Sequence, residues 1–84
     1  MKRDVIISPV ATEKTMFNTE KENKLTFLVD RKAGRKQVKE AVEKMYSVKV
    51  VSVRTMITKF GKKAIVKLDT EFSADEIAGR IGIF

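Results

Sequence analysis

Cysteine and histidine are both absent from this chain of 84 residues, and their absence removes several kinds of chemistry. Without cysteine the chain forms no disulfide, and this composition suits a reducing compartment. Without either residue it has no thiol nucleophile, no imidazole base and no typical zinc site. A phosphate-binding P-loop pattern is also missing. We therefore expect no enzymatic activity, no metal and no cofactor.

Long apolar runs and linkers are absent as well. No stretch approaches the roughly 18 to 20 apolar residues that span a bilayer. The first four residues lead into only three apolar residues before Ser8, which does not resemble a signal peptide. No Ser-, Gly- or Pro-rich segment divides the chain. The sequence predicts one soluble cytoplasmic domain over residues 1–84, without membrane insertion.

Positive charge is abundant and unevenly placed. Of the net charge of +7, residues 31–67 contribute twelve Lys or Arg against two acids, a local net of +10. The remainder has six basic and nine acidic residues, a net of −3. A basic excess concentrated in the middle of a small domain indicates a polyanionic partner, with nucleic acid as the first candidate.

The apolar periodicity predicts an α+β fold in which a mainly antiparallel sheet packs with about three helices. The predicted order is helix, strand, helix, strand, strand, helix. The first helix covers residues 12 to about 19, and the strands cover residues 25–29, residues 48–58 and a segment around Val66. The apolar phase of the second strand shifts between Val50 and Val51, which predicts either a bulge or a face that is covered on both sides. A tight hairpin is expected at Phe60 and Gly61.

The sequence also predicts two helix starts and one apolar helix face. Pro9 fixes an extended step, after which Thr12 caps the first helix and Glu13 lies at its positive end. The third helix starts with a capping box between Ser73 and Glu76, and it ends at Gly79 or Gly82. The second helix has an inward-facing stripe at i, i+3, i+4 and i+7. That stripe consists of Val38, Ala41, Val42, Met45 and Tyr46.

Basic residues form two clusters that point to phosphate contacts rather than base reading. Cations at a helix N-terminus oppose the macrodipole, so five of them at the start of the second helix indicate a ligand. A second cluster surrounds the hairpin, and few aromatic residues are left for base stacking. The first cluster is Arg31, Lys32, Arg35, Lys36 and Lys39. The second is Arg54, Lys59, Lys62 and Lys63.

In ordered spacing over nearly the whole chain, the sequence resembles the large-subunit ribosomal protein family L-twenty-three, and its ending resembles the archaeal type. The matching segments are PVATEK (9–14), NKLTF (23–27), AGRKQVKEAV (33–42), VKVVSVRT (48–55), KKA (62–64) and EIAGRIGIF (76–84). Arg54 departs from the family, which commonly has asparagine before the threonine matched by Thr55. The short turn after Lys59 also lacks the long basic loop with which bacterial members reach into the exit tunnel.

The resemblance implies a structural constituent of the large ribosomal subunit, bound to large-subunit rRNA and to neighbouring ribosomal proteins beside the polypeptide exit tunnel. It also implies that the first helix start faces signal recognition particle and the protein-conducting channel. The implied protein-docking residues are Pro9, Thr12 and Glu13. For RNA, the resemblance matches Arg35, Lys39, Arg54, Lys62 and Lys63 to positions where the family is typically basic or polar. With the other members of the two basic clusters, the predicted RNA-binding residues are Lys14, Arg31, Lys32, Arg35, Lys36, Lys39, Arg54, Thr55, Lys59, Lys62 and Lys63.

Two other functions stay open at this point. One is a free RNA-binding or RNA-chaperone domain outside the ribosome, which the basic clusters alone would equally support. The other is a small phosphate-processing enzyme that uses these clusters as an anion site, although no catalytic group has been found for it.

Overall fold

The computed structural model describes residues 5–59 and 61–81, which form a four-stranded sheet and three helices. The α+β class and the order of the predicted elements are confirmed, with one strand added at the start of the chain. In chain order the elements are β1 (Ile6–Pro9), α1 (Glu13–Glu22), β2 (Lys24–Val29), α2 (Arg35–Tyr46), β3 (Val50–Thr58), β4 (Gly61–Leu68) and α3 (Ala74–Ile81).

The added strand β1 is short and has no alternation that would reveal it. Ile6 is buried, Ile7 is exposed, and Ser8 and Pro9 are intermediate. Pro9 is tolerated there because β1 is an edge strand. The strand pairs with β2 and shows a register irregularity between Ile6 and Ser8.

All strand pairs are antiparallel, and the spatial order is β1-β2-β4-β3. The predicted bulge is present, since the register of β3 against β4 shifts between Val50 and Ser52. Strand β3 ends at Thr58 and β4 begins at Gly61, which has a φ of 130°, a conformation that favours glycine. Phe60, the other residue predicted for this hairpin, lies outside the described residues.

One face of the sheet carries the core, because apolar residues alternate along β2 and β4 and pack against α2 and α3. Phe27 is fully buried at its centre, and its ring stacks on Tyr46 with 6.0 Å between centroids and 17° between planes. The buried side chains on this face and on the two helices are Ile6, Leu25, Phe27, Val29, Val50, Ala64, Val66, Leu68, Val38, Val42, Ala74, Ile77 and Ala78.

Three helix details differ from the predictions. Helix α1 continues to Glu22 rather than ending near Thr19, whose hydroxyl is satisfied by a 2.9 Å bond to the Thr15 carbonyl. Met45 does not belong to the buried face of α2, since 55% of its surface is exposed. Gly79 lies within α3 rather than at its end, and Gly82 lies outside the described residues. No described helix is long and apolar enough to cross a membrane.

The segment that joins β1 to β2 positions α1 at the edge of the sheet. The Val10 N–H donates to the Thr26 carbonyl over 3.0 Å, so the segment after β1 stops pairing with β2 near the middle of that strand. Helix α1 then contacts both β2 and α3. The sheet face opposite the core therefore stays open, with α1 as a wall along one side.

Candidate nucleic-acid interface

The start of α2 is built by a tight turn that displays its cations to solvent. The Asp30 carboxylate accepts the Lys32 N–H over 2.8 Å, and the Asp30 carbonyl accepts the Ala33 N–H over 3.0 Å. Gly34 precedes the helix in an extended conformation, and its N–H donates to Gln37 Oε1 over 2.9 Å. We call the exposed cations of this turn and helix start the α2 basic surface: Arg31, Lys32, Arg35, Lys36 and Lys39.

Acids flank this surface in sequence at Asp30 and Glu40, and the Asp30 carboxylate is bonded to the Lys32 N–H. The first turn of α2 contains no Asp or Glu. Within residues 5–59 and 61–81, no carboxylate lies within ion-pairing distance of Arg35, Lys36 or Lys39. Because unpaired cations beside a helix N-terminus oppose the helix dipole, this arrangement does not stabilise the free protein and leaves every donor available to an anion.

Lys62 joins the hairpin to the α2 basic surface. Its ammonium donates to the Ala33 carbonyl over 2.6 Å, just before α2 begins. This contact follows from the sheet register, in which Val29 at the end of β2 lies opposite Lys62 at the start of β4. The exposed Lys59 lies in the β3–β4 connection at the same end of the sheet. The structure thus brings part of the second basic cluster to the first.

The other members of the hairpin cluster lie on a different face. Successive residues of a strand point to opposite sides of the sheet, so Lys63 and Arg54 lie on the open face. Thr55 pairs with the buried Ala64 on the helix-covered face and is only partly exposed. The residues of the two sequence clusters therefore lie on two surfaces, one on each side of the sheet. Neighbours along a strand are separated because their side chains point to opposite sides.

The open face also gathers basic residues that sequence reasoning missed. In the register, Lys24 of β2 lies opposite Lys67 of β4, and Arg54 of β3 lies opposite Ile65 of β4. These side chains, with Lys14 and Glu22 of α1, line a groove of about 650 Å³ that we call the open-face groove. Lys63, Ile65 and Lys67 are spaced two residues apart in the sequence, and this spacing alone could have predicted that they share one face of a strand.

Among the described residues that line the open-face groove, the acidic one is Glu22. Its carboxylate forms a 2.7 Å ion pair with Lys24, and this bond, with a further contribution from Lys67, lowers the pKa of Glu22. Both partners are solvent-accessible, so the pair contributes little stability. Its effect is to neutralise one of the lysines at the edge of the groove.

The predicted protein-docking residues lie where β1 passes into α1. The Thr12 hydroxyl accepts the Thr15 N–H over 3.2 Å, and the Thr12 N–H donates to Thr15 Oγ1 over 2.7 Å, so the predicted cap is present. Glu13 is the first residue of α1, and Pro9 is the last residue of β1. One turn after Glu13, Phe17 is 56% exposed.

Comparison with known proteins identifies the family. The model of the family described as "Ribosomal protein L23" matches residues 4–64, more than half of the chain. This chain belongs to the L-twenty-three family of ribosomal proteins. The family consists of structural components and not of enzymes, so the chain is not an enzyme and the phosphate-processing alternative is wrong. Among the described residues, no cluster of Asp and Glu could hold a metal ion.

Three archaeal relatives named large ribosomal subunit protein uL23 match almost end to end. The protein of Thermoplasma acidophilum is 60% identical over all of both chains. That of Picrophilus torridus is 58% identical over 96% of this chain and 99% of its own length. That of Methanococcus vannielii is 45% identical, with coverage of 96% of this chain and 95% of its own. The resemblance to the archaeal type is therefore confirmed.

Proposed function

We propose that this chain is a structural constituent of the large ribosomal subunit and binds large-subunit rRNA through the α2 basic surface. The observation that carries the proposal is a helix start with five exposed cations and no acid in its first turn. Family membership and the names of the archaeal relatives supply the ribosomal context.

The geometry favours recognition of the RNA backbone. Arg35 and Lys39 are one turn apart on α2, so both can contact phosphates on one strand. The first backbone N–H groups of α2 have no partner within the helix and can also bind a phosphate. Lys62 is held against Ala33 and extends the positive region toward the hairpin. Described aromatic side chains are absent from this surface, so base stacking is not part of the contact.

The matched experiment compares two double variants with the same loss of charge. Arg35→Ala/Lys39→Ala should lower affinity for large-subunit rRNA by roughly 100-fold, at about tenfold for each charged contact. Its plot of log affinity against log salt should become shallower by about one to two units. The control Lys44→Ala/Lys49→Ala removes two exposed cations from elsewhere. Equal effects in both variants would show that net charge alone drives binding.

We further propose that the β1–α1 junction docks nascent-chain targeting and translocation factors beside the polypeptide exit tunnel. Pro9, Thr12 and Glu13 provide a rigid, capped helix start, and the exposed Phe17 adds an apolar group one turn further along. An exposed aromatic beside a helix start is a suitable anchor for a protein partner. Signal recognition particle and the protein-conducting channel are the partners that the family resemblance implies.

Factor binding to ribosomes that carry Glu13→Ala or Glu13→Lys tests this docking proposal. Charge reversal should weaken binding of a cationic factor more than removal, and the deficit should shrink at high salt. Glu71→Lys, at an exposed position in the β4–α3 connection, is the matched control. Equal affinity for all four ribosomes would leave Glu13 as a dipole-stabilising acid.

A further inference from the structure

We propose that the open-face groove binds an unstacked nucleotide of single-stranded RNA, as a second RNA site on the opposite side of the sheet from the α2 basic surface. The proposal rests on the proposed function as an RNA-binding protein and adds a ligand class and a location. It would let one small domain hold a paired segment on one side and a looped-out nucleotide on the other.

The sheet register places the groups of this site in three rows. The first row is Lys24, Lys67 and Ser52, the second is Thr26, Ile65 and Arg54, and the third is Leu28, Lys63 and Met56. Successive rows lie about 7 Å apart, the length of two strand residues. Ile65 is therefore central, with a cation on three sides.

The charges of the groove are costly to the isolated protein. Lys24 and Lys67 lie directly opposite each other in the β2–β4 ladder, and like charges in such a pair are destabilising. Glu22 is the carboxylate that offsets them, and it pairs with Lys24. Within the described residues, Arg54, Lys63 and Lys67 have no ion-pair partner. A bound polyanion would remove this repulsion.

The middle of the groove distinguishes a nucleotide from other polyanions. Ile65 is half-buried and Met56, one row away on the adjacent strand, is 41% exposed, so an apolar patch lies among the polar residues that line the groove. Arg54 lies beside Ile65, and a guanidinium plane stacks well on a nucleic-acid base. An apolar patch beside one planar cation fits a base ring, and the surrounding lysines fit the flanking phosphates. An acidic peptide would use the lysines but not the apolar patch.

Methyl NMR of the full-length chain tests the site with three probes. A short oligoadenylate supplies unpaired bases, a blunt RNA duplex supplies only paired ones, and oligoglutamate supplies charge without bases. Oligoadenylate should shift the Ile65 and Met56 methyl signals, whereas the duplex should leave them in place. The exposed Met45 methyl, near the C-terminal end of α2, is the internal control. Equal shifts with oligoglutamate would overturn the nucleotide assignment.

Variants then separate this inference from the proposed function. Arg54→Gln and Lys67→Glu should each weaken oligoadenylate binding by about tenfold and leave duplex binding nearly unchanged. Glu22→Gln should strengthen oligoadenylate binding, because it removes the opposing carboxylate. Lys44→Glu matches the charge change of Lys67→Glu on the helix-covered side and should have little effect. Duplex binding without any change at Ile65 and Met56 on adding oligoadenylate would refute this inference alone. Failure of the wild-type chain to bind large-subunit rRNA would refute the proposed function instead.

Discussion

The starts of α2 and α3 differ in the cap and in the charges that they place beside the positive end of the helix dipole. Helix α3 begins with a serine cap and has Asp75 and Glu76 in its first turn, where acids favour the helix dipole. Helix α2 begins after a glycine, has no acid in that turn and displays Arg35 and Lys36 instead. Both helices pack on the same face of the sheet.

Side chains of this protein stabilise the start of α3 more than the start of α2. The α3 start is satisfied by its own protein, since Glu76 N–H donates to Ser73 Oγ over 3.3 Å and Ala74 N–H donates to Asn23 Oδ1 over 2.7 Å. Among residues 5–59 and 61–81, the α2 start has the bond from the Gly34 N–H to Gln37 Oε1 and the contact of Lys62 with the Ala33 carbonyl, and its charges oppose the dipole. A helix start whose cations do not stabilise the helix agrees with the proposal that an external anion binds there.

The largest effect should come from removing Asn23, the residue that supports the α3 start. Its amide nitrogen donates to the carbonyls of Leu68, Asp69 and Phe72 over 3.2, 3.3 and 2.9 Å, and its φ of 57° is left-handed. Asn23→Ala should cost about 2–4 kcal/mol in the free energy of unfolding. Asn23→Gly, which accommodates the φ, should cost less. Denaturant unfolding measures both, and equal losses would assign no strain to the alanine.

A smaller effect should follow from removing the serine cap of α3. Ser73→Ala should destabilise the free domain by about 1 kcal/mol, since the Glu76 N–H loses its acceptor. Affinity for rRNA, measured under folding conditions, should stay the same. A weaker complex with unchanged unfolding would place Ser73 in a binding surface and weaken the contrast between the two helix starts.

Converting the α2 start toward the α3 pattern should change stability and binding in opposite directions. Lys36→Glu places an acid in the first turn and should stabilise the free domain by about 0.3–1 kcal/mol. The same change should weaken rRNA binding, because a carboxylate then faces the phosphates. Lys36→Gln is the control with charge removed but not reversed. Loss of both stability and affinity would show that this position serves the fold and not the ligand.

The smallest effect concerns Tyr46, which lies where the far ends of the two helices approach each other. Burial raises the pKa of Tyr46 above its ordinary value of 10.0, so the folded state holds this proton more tightly than the unfolded state. The resulting stability is complete below about pH 10 and is lost as pH rises through the folded value. Tyr46→Phe should remove this alkaline dependence, which unfolding at several pH values would measure. An identical alkaline dependence in both proteins would assign it to other groups.

Local patterns in the sequence were sufficient for most of the elements. The α2 stripe, the alternation in β4 and the phase shift at Val50 each reflect a period or a break that a few neighbouring residues define. The same patterns missed β1, whose four residues are too few to show a period. They also placed Met45 inside, because a helical stripe does not reveal how far the neighbouring sheet extends over it.

The sequence by itself determined the α+β class, the basic middle segment and the acid-free start of α2, because charge and periodicity are properties of contiguous residues. Only the tertiary structure decided which cations share a surface. Strand alternation places Lys62 at the α2 start and Lys63 on the open face, and the sheet register brings Lys24 opposite Lys67. Pairing between distant strands sets that register, so contacts over long sequence separations, and not local composition, divide the basic residues into two surfaces.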